Sequence, residues 1–149
     1  MTLKHTLSIF IIFSILGWFG DTLVRTIDFG YWYSYNAFNI PFSPTYGLAC
    51  VVILFMHQLM KTYSLRTHFF VYLITLPIYE LIAGFVGEWV THRKLWDYSW
   101  IPGNIYGYTT PFHALLWGVS GVLLVYWLDP LICRWLHITD PEFKKTSSR

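Results

Sequence analysis

The amino-acid sequence predicts an all-α membrane protein, a bundle of four transmembrane helices, from three observations. First, 55% of the 149 residues are hydrophobic and only 12% are charged, whereas soluble domains carry about 25% charged residues. Second, aromatic residues make up 21% of the chain, and Trp and Tyr favour the headgroup level of a bilayer. Third, four apolar stretches approach or exceed about 20 residues, the length that crosses about 30 Å of hydrocarbon as a helix.

The four spans are predicted at about 6–27, 45–63, 68–90 and 111–136. Each must be helical, because lipid offers no water to unpaired backbone groups. The first stretch follows Lys4, as a signal peptide would, but it continues through Gly17 to Asp21 without a small-x-small cleavage site. We therefore expect it to remain in the protein as a span.

The distribution of lysine and arginine predicts that both termini are cytoplasmic, because these residues concentrate in short cytoplasmic loops. Seven of them fall in the N-terminus, the second loop and the C-terminal segment, against three on the other side. Loops 28–44 and 91–110 are then outside the membrane. Residues 1–140 are predicted to form one transmembrane domain, and residues 141–149 a short cytoplasmic tail.

Several classes of function are disfavoured by the composition. The net charge is +2, and no dense basic run is interleaved with aromatic residues, so no nucleic-acid partner is expected. The chain has no phosphate-cradling glycine loop, no GxSxG and no HExxH, so no cofactor is predicted. Cys50 and Cys133 are predicted near opposite membrane faces, which disfavours a disulfide, and no Cys/His spacing indicates zinc.

Ionisable residues inside the predicted spans are candidate site residues, because each is costly in lipid unless it is paired or hydrated. Asp21 and Arg25 lie four residues apart on the first helix and are able to pair. Glu80 lies at the middle of the third helix, and Glu88 lies two turns further on nearly the same face.

Gly84 and Gly87 lie on the stripe between Glu80 and Glu88 and would permit close approach of a helix or a ligand. His113 and Trp117 share one face of the fourth helix near its outer end.

The predicted orientation places these side chains together in the outer half of the bilayer. The simplest interpretation is one polar pocket between the helices, open towards the outside and floored by Glu80. The predicted ligand-binding set is Glu80, Glu88, Asp21, Arg25, His113 and Trp117.

Simpler interpretations of the same residues remain. Asp21 and Arg25 can be a structural pair, and Glu88 can reach the interface. A metal held by Asp21, Glu80, Glu88 and His113 has no tight ligand spacing to support it, so no metal site is predicted. Asp129-Pro130 is interpreted as the end or a kink of the last helix and not as a site.

Motifs along most of the chain resemble a known family. They are the residue 79–85 run with Glu80 and Gly84, the Trp96-Asp97-Tyr98-Ser99 loop, Pro102, Asn104, Gly107, Trp117-Gly118, Pro44-x-Tyr46-Gly47, and Gly17-Trp18 followed by Asp21. Together they resemble the CmpB-like family of small prokaryotic membrane proteins, described as ABC-transporter type IV. A group of small vertebrate transmembrane proteins carries the same WDYS loop. The Asn-Arg-Gly-like stretch expected of the family is replaced here by residues 35–39.

The resemblance implies a transporter-related protein of a prokaryotic inner or plasma membrane, without assigning roles to residues. The outer loop carrying Trp96, Asp97, Tyr98 and Asn104 is predicted to act as a cap. Asp97 can accept backbone N–H groups in a turn, while Trp96 and Tyr98 anchor the loop at the headgroups.

Three hypotheses for function follow. The first is binding or transport of a small or amphipathic ligand in the pocket centred on Glu80. The second is a membrane enzyme acting on a lipid or isoprenoid, with Glu80 or Glu88 as acid and His113 as base. The third is an assembly or regulatory subunit whose polar residues hold helices or a partner membrane subunit together. Exposed faces carrying Gly84/Gly87 or Gly118/Gly121 would serve it, and a homodimer through one of them is left open.

Overall fold

The computed structural model describes residues 1–32 and 40–138, except the side chain of Asp28. It contains a bundle of four helices, and the described residues include no strand beyond an isolated bridge between Ile105 and Thr109. The predicted all-α transmembrane fold is therefore confirmed. The predicted tail 141–149, and residues 35–39, which distinguish the first loop from the family pattern, lie outside the described residues.

Three of the four helices follow the predicted spans to within about three residues, and the second helix ends earlier than predicted. They are α1 (Leu3–Phe29), α2 (Pro44–Leu59), α3 (Leu65–Thr91) and a fourth helix, Pro111–Trp135, which is made of α4 (Pro111–Leu123), a π-helical segment (Leu124–Leu128) and α5 (Asp129–Trp135).

Local capping chemistry explains where most of these helices begin and end. The side chains of Thr2, Ser64 and Thr110 accept backbone N–H groups in the first turns of α1, α3 and α4, which satisfies donors that a helix leaves open. Helix α1 ends at Gly30, whose φ of 72° is the left-handed conformation that glycine adopts without strain.

Helix α2 is shorter than predicted, because it ends at Leu59 and the chain turns through residues 60–63. At 1.5 Å per residue its 16 residues extend about 24 Å, less than the hydrocarbon thickness of about 30 Å. The other three helices are long and apolar enough to span a membrane.

The π-helical segment is a feature that the sequence analysis did not predict in detail. The backbone N–H of Asp129 donates to the carbonyl of Leu124, five residues earlier. Pro130 follows directly; it has no N–H and its ring would clash with the carbonyl four residues earlier, so a regular α-helix cannot continue there. The irregularity expected at Asp129-Pro130 therefore takes the form of one widened turn.

The helices pack in two pairs, α1 against α2 and α3 against α4. In the second pair Gly118 faces the Phe69 ring and Gly121 faces the Tyr72 ring, so the missing side chains let the helices approach. In α3, Gly84 lies under the Tyr108 ring and Gly87 under Leu95, both from the loop after the helix.

The glycine faces that were predicted to contact a second copy or a ligand are therefore covered by this chain's own residues. Gly84, Gly118 and Gly121 are buried within the chain, so these faces are not exposed as the assembly hypothesis expected.

The surface of the bundle is apolar, as expected of a protein surrounded by lipid tails. Large side chains such as Ile74, Ile82 and Leu131 are more than half exposed. Polar side chains such as Glu80 and His68 are instead buried between helices. Apolar residues therefore lie both on the outer surface and between the helices, whereas polar residues such as these lie between the helices.

Substituting Gly121 with alanine should destabilise the bundle. A Cβ at Gly121 would lie 2.5 Å from the Tyr72 ring, and overpacking of this kind costs about 1–3 kcal/mol. Gly20→Ala is the matched control, because its Cβ would meet nothing within 4 Å and alanine is the better helix former. Thermal unfolding in detergent should show a lower midpoint for Gly121→Ala alone; equal midpoints would contradict the packing described.

The predicted orientation can be tested with two introduced cysteines at opposite ends of the bundle. Trp100 in the loop after α3 is 81% exposed, and Thr62 between α2 and α3 is also exposed. A membrane-impermeant maleimide should label Trp100→Cys in intact cells and Thr62→Cys only after permeabilisation. The native Cys50 and Cys133 are buried and give the background. The reverse labelling pattern would mean that the termini are outside.

Candidate functional site

A cavity with about 40 Å³ of free space lies between the helices beneath the loop that follows α3. All four helices and this loop contribute to its wall. The lining residues are Asp21, Arg25, Thr45, Tyr46, Tyr79, Glu80, Ala83, Trp96, Tyr98 and Trp117. Four of the six residues predicted to bind a ligand, namely Glu80, Asp21, Arg25 and Trp117, therefore lie around one space.

Glu80 is the buried carboxyl group of this cavity. Its residue is only 7% exposed, and its Oε2 atom has no hydrogen-bond partner among the described residues. Thr109 and Trp117 lie beside the carboxyl group, yet the Thr109 hydroxyl is also buried without a partner in the described part of the chain. Buried polar atoms in proteins are nearly always bonded to protein or to an ordered molecule, so this end of the cavity is polar and incompletely satisfied.

Asp21 is held by a residue of the neighbouring helix α2. The Tyr46 hydroxyl donates a hydrogen bond of 2.8 Å to Asp21 Oδ1. Gly17 makes this contact possible, since a Cβ there would lie 2.3 Å from the Tyr46 ring. Arg25, one turn further along α1, lines the same cavity. The site therefore contains acidic and basic groups on one helix.

The N-terminus of α2 is fixed against α3 next to Glu80. The Tyr79 hydroxyl donates to the Thr45 carbonyl at 2.7 Å. The Tyr46 ring lies 6.4 Å from the Trp117 ring, centroid to centroid. These contacts give the cavity aromatic walls around its charged groups.

The loop after α3 closes one side of the cavity through Trp96 and Tyr98. The Trp96 indole donates to the Tyr108 carbonyl at 2.9 Å, and the Tyr98 backbone N–H donates to the Gly107 carbonyl at 2.7 Å. Asn104 holds the same loop from within. Its amide nitrogen donates to the Ile101 carbonyl at 2.9 Å, and its side-chain oxygen accepts the Gly107 N–H at 3.0 Å.

Asp97, by contrast, lies on the exposed side of the loop and does not line the cavity. It accepts the backbone N–H of Ser99 at 3.0 Å and also the Ser99 hydroxyl, and Lys94 Nζ lies 3.7 Å away. The bonds from Ser99, aided by Lys94, lower the pKa of the Asp97 carboxyl below its usual value. Its position is that of a turn residue that orders the loop.

Glu88 and His113 are not brought into the cavity wall with the other predicted residues. Glu88 accepts a hydrogen bond from the Tyr108 hydroxyl. Burial, and then this bond, raise the pKa of the Tyr108 phenol to about 12, so the phenol stays protonated as a donor near neutral pH. Glu88 thus fastens the loop to α3.

His113 stacks on the Tyr98 ring, at 3.9 Å between centroids and 18° between planes, and its Nδ1 lies 2.8 Å from the Thr110 hydroxyl. It supports the cavity from behind Tyr98. The prediction placed His113 in the cavity because it shares a helix face with Trp117. The helix face does not show that the loop after α3 inserts Tyr98 between His113 and the cavity.

The sequence analysis did not single out Tyr46, Tyr79 or Thr45 as site residues. A signal was present for Tyr46, which belongs to the Pro44-x-Tyr46-Gly47 motif that carries the family resemblance. Tyr79 also had a signal, because it begins the 79–85 run of the same resemblance. Thr45 had none, because single hydroxyl-bearing residues are common in helices without a functional role.

Comparison with known proteins supports the same family. The model of the family described as "Putative ABC-transporter type IV", the CmpB-like family, matches residues 8–148. Neither a curated protein nor a solved structure matches the chain. The match covers nearly the whole length, and the chain therefore belongs to the CmpB-like family of multi-pass membrane proteins.

Proposed function

We propose that the protein binds a small or amphipathic ligand in the cavity centred on Glu80, as the membrane component of a transport system. The observation that supports this most strongly is the buried Oε2 atom of Glu80, which borders a cavity and has no partner in the described part of the chain. A carboxyl group in the middle of a membrane span is costly to keep. A ligand or a proton at this atom offsets that cost.

The wall chemistry favours a ligand that carries a cationic or hydrogen-bonding group and an apolar body. Glu80 would take the cation or donate and accept a proton, while Arg25 would take an anionic group if the ligand has one. The indole and phenol faces of Trp96, Tyr98 and Trp117 suit an apolar portion or a cation.

The free space inside the cavity is about 40 Å³, far below the roughly 300–1,000 Å³ that small-molecule sites usually enclose. A ligand larger than water or a small ion would therefore have to displace part of the wall. With the orientation predicted from the lysine and arginine distribution, the loop carrying Trp96 and Tyr98 lies outside. The ligand would then reach Glu80 from that side.

An energy source for transport would come from another polypeptide. The chain carries no phosphate-binding glycine loop, so hydrolysis of ATP would require a partner subunit. The family description is consistent with such a role.

The enzymatic alternative receives less support from the geometry. It needs Glu80 or Glu88 as acid and His113 as base around one substrate, but Glu88 contacts Tyr108 and His113 stacks behind Tyr98. The assembly alternative loses the two glycine faces that would have served it, because they are covered within the chain.

Glu80→Gln should abolish ligand retention while leaving the fold intact. Glutamine preserves the shape but removes the charge and the exchangeable proton, and lost bonds to a charged group cost about 1.5–3 kcal/mol. Native mass spectrometry of protein purified from its own membrane should show an adduct on the wild type that falls about tenfold or more in occupancy on Glu80→Gln.

Glu88→Gln is the matched control, because it makes the same change on the same helix outside the cavity wall. It should retain the adduct. An adduct held equally by both variants would contradict a site at Glu80. Bare protein in all three samples, with an altered oligomer only for Glu80→Gln, would favour the assembly role.

A further inference from the structure

A second polar cluster lies at the opposite end of the bundle from the loop that covers the Glu80 cavity. It joins the first turn of α1 to α5 through His5, Asp129 and Cys133, which are 3%, 7% and 5% exposed. His5 Nε2 lies 2.5 Å from Asp129 Oδ1 and 3.5 Å from Cys133 Sγ, and that Sγ lies 3.8 Å from Asp129 Oδ1. Three different metal-ligating atoms therefore converge at one buried point.

We propose that His5, Asp129 and Cys133 form a binding site for a divalent transition metal ion, with zinc as the best-fitting ion. The sequence analysis predicted no metal site and interpreted Asp129 as a helix end. It missed this cluster because His5 and Cys133 are 128 residues apart, and no local spacing connects them.

The distances between the three atoms are close to those around a tetrahedral ion. Zinc binds Cys sulfur at about 2.3 Å and His nitrogen or Asp oxygen at about 2.0–2.2 Å, which places nitrogen and sulfur ligands about 3.6 Å apart. The two distances to Cys133 Sγ, 3.5 and 3.8 Å, fit this value. The His5–Asp129 contact of 2.5 Å would open by about 0.9 Å to admit the ion.

The local structure places these atoms on one face. Asp129 and Cys133 are four residues apart on α5, so their side chains lie one above the other. The π-helical turn directly before Asp129 adds a residue to the helix and resets which face α5 presents to α1. Such π-helical turns occur frequently at functional sites. At the other side, the Thr2 cap fixes the turn that carries His5.

Charge balance also favours an ion at this point. A thiolate and a carboxylate together carry two negative charges, which a divalent cation neutralises in a poorly solvated place. Imidazole, thiolate and carboxylate are the ligand types found in zinc sites, and three protein ligands leave a fourth position for water or for a bound group. His5 Nδ1 has no partner among the described residues, so Nε2 is the ring nitrogen that engages the cluster.

This site is independent of the proposed ligand cavity. None of its three residues lines that cavity. Loss of ligand binding through Glu80→Gln therefore has no bearing on whether the metal binds.

The test uses cobalt(II) as a spectroscopic probe and zinc content as a direct measure. The detergent-purified full chain, carrying a tag without histidines, is stripped with a chelator and titrated with Co²⁺. We expect one equivalent to give a thiolate-to-cobalt charge-transfer band, which Cys133→Ser removes. Elemental analysis after zinc loading should give about one zinc per chain for the wild type.

Two controls separate this site from general effects of substitution. Cys50→Ser changes the other buried cysteine and should keep both the band and the zinc. His92→Asn removes an exposed histidine at a left-handed position, φ 55°, which asparagine tolerates, and should keep both as well. His5→Gln should weaken zinc binding about tenfold or more.

Wild-type protein that gives no thiolate band and retains no zinc would overturn the proposal, whatever the variants do. Equal loss in Cys133→Ser and Cys50→Ser would overturn it too, because it would indicate binding elsewhere or unfolding. In either case the His5–Asp129 contact would be a hydrogen-bonded pair that joins α1 to α5.

Discussion

The bilayer places one constraint on which the rest of this structure depends: polar groups must be satisfied inside the protein, because lipid tails offer them no partner. The backbone meets the constraint by forming helices, since each helix bonds its own N–H and C=O groups. Side chains meet it by turning inward, so that residues such as Glu80, His68 and Asp129 are buried while the outer surface is apolar. The apolar core, with residues such as Ile53 and Leu76, therefore also encloses these polar side chains.

Two groups of these buried polar residues lie towards different ends of the bundle. Near one end, Asp21 and Glu80 border a cavity with aromatic walls that a loop partly covers. At the other, His5 reaches from the beginning of the chain to Asp129 in the last helix. Glycines control the distances between helices, as Gly121 does beneath the Tyr72 ring. The apolar packing therefore sets the geometry, and the buried polar groups provide the chemistry.

The sequence predicted the spans well, because hydrophobic length in a membrane protein is a direct consequence of bilayer thickness. It also predicted that Glu80, Asp21 and Arg25 share one space. It could not predict that the loop carrying Tyr98 would separate His113 from that space, because loop paths depend on tertiary contacts such as the bond between Tyr108 and Glu88. Contacts between residues far apart in the sequence, such as His5 and Cys133, likewise could not be predicted from the sequence.

The most direct test of the central claim is whether water reaches the cavity between the helices. Ala83 lines the cavity, whereas its neighbour Ile82 is 58% exposed on the apolar surface. A charged methanethiosulfonate reagent, which needs a hydrated thiolate, should modify Ala83→Cys in membranes and leave Ile82→Cys unmodified. Protection of both positions would contradict an accessible cavity at Glu80. Modification of Ile82→Cys alone would contradict the arrangement of α3 between cavity and lipid.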